Sequence, residues 1–308
     1  MTREWPELSY SEAKDTYETL HLWTQIVGKI KLMKLPWINH SWHVPLGVSP
    51  TGLTTYGLTH EDKHFQIDFD LVQHKLKIIT DSRLTRMFDL QGLSVAQFYE
   101  NVMRALNELN IAVEINVLPN EIPNAIPFNK DKIHKTYHPK HATALHKALL
   151  NSEYVLTQFR SEFRGKCSPV HFFWGSFDLA VSRFSGREAP MHPGGIPNLP
   201  DRVAREAYSH EVSSCGFWPG NEAVPFAAFY SYIYPEPEGF KKAIILPEGA
   251  YYNQDLGEFI LPYKVVQKAS DPHLKLLEFL RSTYDAAADL AQWDRGSLEN
   301  RPFLQSSL

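Results

Sequence analysis

KCSPVHFFWGSFDLAVSRFSGR, residues Lys166–Arg187, combines a run of Phe and Trp with His171, Asp178, Arg183 and Arg187. In an extended segment successive side chains alternate between faces. Read as one strand from about Val170 to Phe184, it carries His171, Phe173, Gly175, Phe177, Leu179 and Val181 on one face. Phe172, Trp174, Ser176, Asp178 and Ala180 lie on the other. Both faces are largely apolar, which predicts a central strand covered on both sides. A charged Asp178 in such a strand is costly unless paired or hydrogen-bonded, and Arg183 or Arg187 is the expected partner.

Outward from this stretch, helical and strand periodicities alternate in blocks. Residues 11–34 read as a long helix with two apolar stripes and therefore a wide buried face. Gly28 inside it costs about 1 kcal/mol against Ala, so close packing against another element is expected there. Short strands follow at His43–Val48, Thr51–Tyr56, Phe65–Leu71 and Leu76–Thr80, with clean alternation in FQIDFDL. Residues 94–110 form the clearest amphipathic helix, opened by a Ser94/Gln97 capping box, and Ile111–Val117 alternates like a strand. LPNEIPNAIPFNKDKIHKTYH (Leu118–His138) reads as a surface-lying linker. A second long helix spans 139–164, with Pro139 in its first turn. Residues 186–225 look irregular, with one helical piece near Asp201–His210. Strands return at Phe226–Tyr234, Ala243–Leu246 and Glu258–Tyr263, and Asp271-Pro272 starts the last helix.

Helices bracketing runs of strands imply an α+β fold, an antiparallel β-sheet packed by long amphipathic helices. TQIVGK (Thr24–Lys29) echoes SEFRGK (Ser161–Lys166), and each half runs helix, strands, helix. This order suggests an internal duplication, with halves 1–138 and 139–308 sharing one core.

The 308 residues, 43% hydrophobic, are enough for a sizeable core. A formal net charge of −4 without basic runs gives no field for nucleic acid or anionic lipid. No apolar run approaches the roughly 20 residues of a spanning helix, and no signal-peptide pattern opens the chain. A cytoplasmic protein is expected, with no nucleic-acid or membrane partner. The two cysteines, Cys167 and Cys215, form no disulfide framework.

Four groups could carry chemistry. Asn39, His40, Trp42 and His43 place two histidines three apart, which is short of a metal site's three or four ligands. Asp178 is the second. Ser185–Gly195, with Arg187 as a fork for a carboxylate or phosphate and His192 beside Gly194-Gly195, is the third. Arg205–Gly220 is the fourth. There His210-Glu211 lies among hydroxyls as an acid/base candidate, and Cys215 is within conceivable reach of His210 or His171. It matches neither a zinc-protease nor a nucleophile-elbow spacing.

WPEL, LHLWTQIVGKIKL, NHSWH, SPVHFFWGSFDLAVSRFSGR, EAYSHEVSSCGFWPG and EFILPY, in this order, resemble a family of bacterial proteins of about this size catalogued as a domain of unknown function. The resemblance covers nearly the whole chain and implies no activity, substrate or catalytic residue.

The expectation from the residues is a cleft for a small, anionic molecule, walled by Trp42, Phe172 or Phe173, Trp174, Tyr208, Phe217 and Trp218. His43, His171, Arg187, His192 and His210 supply its polar contacts. Asp178 and Arg183 belong to the same candidate set, and His210, Glu211 and His171 are the catalytic candidates. Two other readings stand beside it: a non-catalytic interaction protein with structural polar pairs, and a metal-dependent hydrolase using some of His40, His43, His171, His210 and Glu211. No cofactor is indicated.

Overall fold

The computed structural model describes residues 4–300. Helix α1 (Tyr10–Lys34) is buried along most of its length, as its two apolar stripes require. The first sheet then forms from β1 (Gly47–Ser49), β2 (Gly52–Thr54), β3 (Leu58–His60), β4 (Lys63–Asp70), β5 (Lys75–Thr80) and β6 (Thr85–Asp89). Its order is β1-β2-β4-β5-β6, with β3 also on β4, all antiparallel. Phe65, Ile67 and Phe69 alternate inward and meet α2 (Val95–Glu108). There Phe98 stacks on Phe69 at 5.8 Å and on Trp23 of α1 at 4.8 Å. The capping box is present: Gln97 N–H donates to Ser94 Oγ, and Ser94 N–H to Gln97 Oε1.

The second half begins with α3 (Pro139–Ser161), with Pro139 in its first turn. The second sheet comprises β7 (His171–Phe173), β8 (Asp178–Glu188), β9 (His210–Trp218), β10 (Ala228–Tyr234), β11 (Tyr251–Asn253) and β12 (Glu258–Pro262), ordered β11-β12-β10-β9-β8-β7. Short α4 (Asp201–Ala207) precedes β9, and α5 (Tyr263–Gln267) follows β12. The last helices are α6 (Pro272–Leu290), capped by Asp271 onto Leu274 N–H, and α7 (Arg295–Leu298). Among the described residues no helix is long and apolar enough to cross a membrane. The sheets meet at Leu46 and Phe172, whose backbone groups bond each other in both directions at 2.9 Å. One cluster of buried apolar residues runs from Trp5 to Trp293.

Four expectations are corrected. The single strand 170–184 is a hairpin: Trp174–Phe177 turn, and Phe177 adopts a left-handed φ of 60° while its N–H closes on Phe173 O. The turn resets the alternation. His171 now faces with Ala180, and Phe173 with Asp178, while Phe172 and Leu179 point to the other face.

Among the described residues Ile111–Val117 pairs with no strand. It opens an extended strap, residues 111–121, along α1, whose side chains take the place of a ladder. Lys34 donates to Ala112 O, Lys29 to Leu118 O at 2.7 Å, and Gln25 exchanges two bonds with the backbone of Asn120. Alternating letters could not distinguish this from a strand, because extended backbone needs partners of either kind. Residues 186–225 hold a nine-residue strand, β9, in the middle of the sheet; its Ser and Gly content hid it. Ala243–Leu246 is not a strand.

Candidate functional site

The second sheet has two unlike faces. On the inner face, towards α3 and α6, lie Val181, Arg183, Cys215 and Phe217. Arg183 is buried, with its guanidinium 3.4 Å from the Phe159 ring centre and 4.3 Å from that of Tyr284, and it donates to Phe159 O. Cys215 is buried beneath the same face, and burial pushes its thiol up to about 12, so it is an inert thiol with no thiolate pairing to His210 or His171.

On the outer face lie Asp178, Ala180 and Ser182 of β8, Ser214 and Gly216 of β9, and Tyr230 and Tyr232 of β10. Asp178 is 7% exposed and accepts from Ser176 Oγ and Tyr230 Oη. Neither Arg183 nor Arg187 is its partner. Arg183 differs from Asp178 by an odd number of strand positions and so lies on the opposite face. Tyr230 can reach Asp178 because Gly216 stands between them without a side chain; a methyl there would fall 2.6 Å from the Tyr230 oxygen. Ser182 and Ser214 share a 2.9 Å bond, Ser214 lies directly opposite Tyr232, and Tyr232 bonds Tyr208 at 2.8 Å. The hydroxyl row thus crosses the sheet.

A cleft runs over this face in two chambers. The first, about 480 Å³, is bounded by α1, the turn around Asn39–Ser41, the strap, α4 and the sheet; its walls include Trp42, Phe173, Trp174, Phe184 and Tyr208. Trp174 is seated by Gly28, where a Cβ would come within 2.3 Å of the indole, and by its Nε1–H bond to Val44 O at 2.9 Å. This is the close packing that the glycine in α1 predicted. The second chamber, about 1010 Å³, opens towards Glu18, Trp218 and Glu222. Asp178, Glu121, Tyr208, Tyr230 and Tyr232 line both chambers and mark the join.

Electrostatically the join is acidic. Glu121 comes from the strap, its carboxylate lying against the bare Cα of Gly175, and Glu258 starts β12. Burial first, then the proximity of Asp178, pushes both carboxyls up to about 7. Burial likewise raises Asp178, against its hydrogen bonds from Ser176 and Tyr230. His21 donates to Gly175 O at 2.8 Å, and burial lowers it to about 4, so it is neutral.

The sequence-selected residues fall in three places. Trp174, Asp178, Tyr208 and Trp218 line the cleft. His43, His171, His192 and His210 lie around it without lining it. His43 accepts from Ile38 N–H and packs on Trp37. His192 stacks on Tyr208 at 4.7 Å. His210 bonds Ser209 Oγ at 3.0 Å. His171 is pushed down to about 4 by burial, and its Nδ1 has no hydrogen-bond partner. The remaining three lie outside the cleft. Arg183 is inner-face core. Arg187 pairs with Glu211 at 2.7 Å and donates to Ala291 O at the C-terminus of α6. His210 and Glu211, adjacent on a strand, point to opposite faces and so do not form an acid/base pair. Among the described residues no three His, Cys, Asp or Glu side chains group as metal ligands.

Glu121, Glu258, Tyr230 and Tyr232 were not singled out from the sequence. The lone acid in LPNEIP was the available signal for Glu121; Glu258 had none.

The fold and this cleft define an α+β protein of two antiparallel sheets with a polar, aromatic-walled groove on the second. Residues 5–300 match a family of unknown function (DUF5996), and the chain belongs to that family. No curated protein and no solved structure matches the chain.

Proposed function

We propose that the chain binds a small organic molecule in the cleft over the outer face of the second sheet. The observation that supports this most is the convergence of Asp178, Glu121, Tyr208, Tyr230 and Tyr232 at the join of two aromatic-walled chambers. Apolar walls with a few convergent polar groups are the usual form of a small-molecule site. A cleft of this volume weighs against a purely surface-binding interaction protein.

The anionic ligand expected from the sequence rested on Arg187, which is engaged by Glu211 outside the cleft. The cleft is therefore read without that anchor. A second reading, an enzyme moving protons, is favoured by one observation: Glu121 and Glu258 sit near 7, where a carboxyl can both accept and donate at neutral pH.

The test is a thermal-shift screen of a metabolite library against the wild type, Trp42→Ala and Tyr232→Phe. Ligands of the cleft stabilise the wild type and lose most of that shift in both variants. Shifts that persist unchanged in both place the ligand elsewhere and end the proposal.

A further inference from the structure

We infer that the molecule taken by the cleft is an organic cation, with an ammonium or guanidinium group seated among Asp178, Glu121 and Glu258; this rests on the cleft being a ligand site. The three acids arrive from three separate elements, β8, the strap and β12. Among the described residues none of the three forms an ion pair with Lys, Arg or His.

The charged groups that share these chambers do not neutralise them. From α1, Lys29 is committed to Leu118 O, and His21 is neutral and donates to Gly175 O. His134 pairs with Asp131 at 2.6 Å. Arg202 lines the first chamber and Lys14 the second, neither with an ion pair to the three acids, while Glu18 and Glu222 add acid to the second. An anion would oppose ionisation of these acids. A cation would let the acids ionise, the arrangement that an opposite charge favours.

Two further observations fit. Tyr230 and Tyr232 stack at 6.2 Å beside the acids, and Trp174 and Trp218 flank them; aromatic faces attract organic cations. Independently of the acids, Ser41 Oγ is buried without a hydrogen-bond partner in a residue 8% exposed that lines the first chamber. Ser41 and His40 both adopt left-handed φ, 59° and 56°, which places this hydroxyl.

The experiment titrates the full chain with choline, butylguanidine and cadaverine, and with dimethylbutanol and butylurea, the uncharged counterparts of the first two, following tryptophan fluorescence and calorimetric heat. At least one cation is expected to bind, with the uncharged partner weaker by about tenfold or more, since a lost charge-assisted contact is worth over 1.4 kcal/mol. Binding of permanently charged choline is expected to be about tenfold tighter at pH 8 than at pH 6, because a carboxyl near 7 must ionise. Glu258→Gln, at the edge of the cluster, is expected to weaken binding and flatten that pH dependence; Asp178→Asn gives a second variant if the first misfolds. Equal affinity for charged and uncharged partners, or no cation bound at millimolar concentration, overturns the inference. The library screen decides separately whether the cleft binds anything.

Discussion

Tyr230 donates its phenolic hydroxyl to Asp178 Oδ2 across the bare Cα of Gly216, so that three neighbouring strands meet in one hydrogen bond. A buried carboxyl is tolerated where donors reach it, and here the donor comes from two strands away because the strand between carries no side chain.

Gly216→Ala tests that relationship directly. The new methyl would lie 2.3 Å from Leu179 O and 2.6 Å from Tyr230 Oη. Overpacking of this kind costs about 1–3 kcal/mol, and displacing Tyr230 removes one of the two side-chain donors to Asp178. Urea denaturation should show a loss in that range; a change within about 0.5 kcal/mol, the ordinary scatter of surface substitutions, would mean the tyrosine does not depend on the gap.

The acids of the cleft make a signed pH prediction. Glu121 and Glu258 are raised from 4.5 to about 7 in the folded chain. Folded protein therefore holds protons that the unfolded chain releases, and their contribution is fully present below about 4.5 and lost as pH rises through 7. His21 and His171, lowered to about 4, act in the opposite sense: their contribution is present above 6.5 and lost as pH falls towards 4. Comparison with Glu258→Gln isolates the first effect. The variant should gain on the wild type as pH is raised from 5 to 8, measured by denaturant midpoints. Parallel curves would show that Glu258 ionises normally in the fold.

Arg183 is a buried cation held by ring faces and a carbonyl, with no carboxylate bonded to it among the described residues. Its planar guanidinium matches those faces, and an ammonium does not. Arg183→Lys is expected to cost about 2–4 kcal/mol, because it keeps a buried charge without the fit, while Arg183→Met, of similar bulk and uncharged, costs less. The order of the two midpoints is the readout, and Met below Lys would refute the stacking account.

Gly28→Ala sets helix propensity against packing. Propensity alone would stabilise α1 by about 1 kcal/mol, yet the methyl would fall within 2.3 Å of the Trp174 indole. A net loss of stability is expected. In a Trp174→Ala background the same change should become neutral or favourable, and a non-additive cycle of that sign is the check.

Much of the fold was legible because burial imposes periods on the letters. The stripe and capping box of α2, the Pro139 start of α3, the Asp271 cap of α6 and the alternation of Phe65, Ile67 and Phe69 are local rules that the structure obeys. Legibility failed where extended chain has unusual partners. Ile111–Val117 alternates as a strand does, yet the strap it opens is held by Lys34, Lys29 and Gln25 of α1, at Ala112, Leu118 and Asn120, instead of by a neighbouring strand. The turn at Trp174–Phe177 was missed because aromatic residues rarely punctuate a chain, and that turn alone moved Asp178 to the face of Phe173.

The sequence by itself determined the long helices, most of the strands and the α+β class, since each follows from spacing along one segment. Which charges share a face was decided only by tertiary structure. Arg183 and Asp178 lie five residues apart and on opposite sides of the sheet, whereas Glu121, Asp178 and Glu258 are far apart in the chain and line one cleft. Electrostatic neighbourhood depends on distance in space, and neither hydrophobic period nor residue identity encodes it until the strap, the hairpin and β12 are folded together.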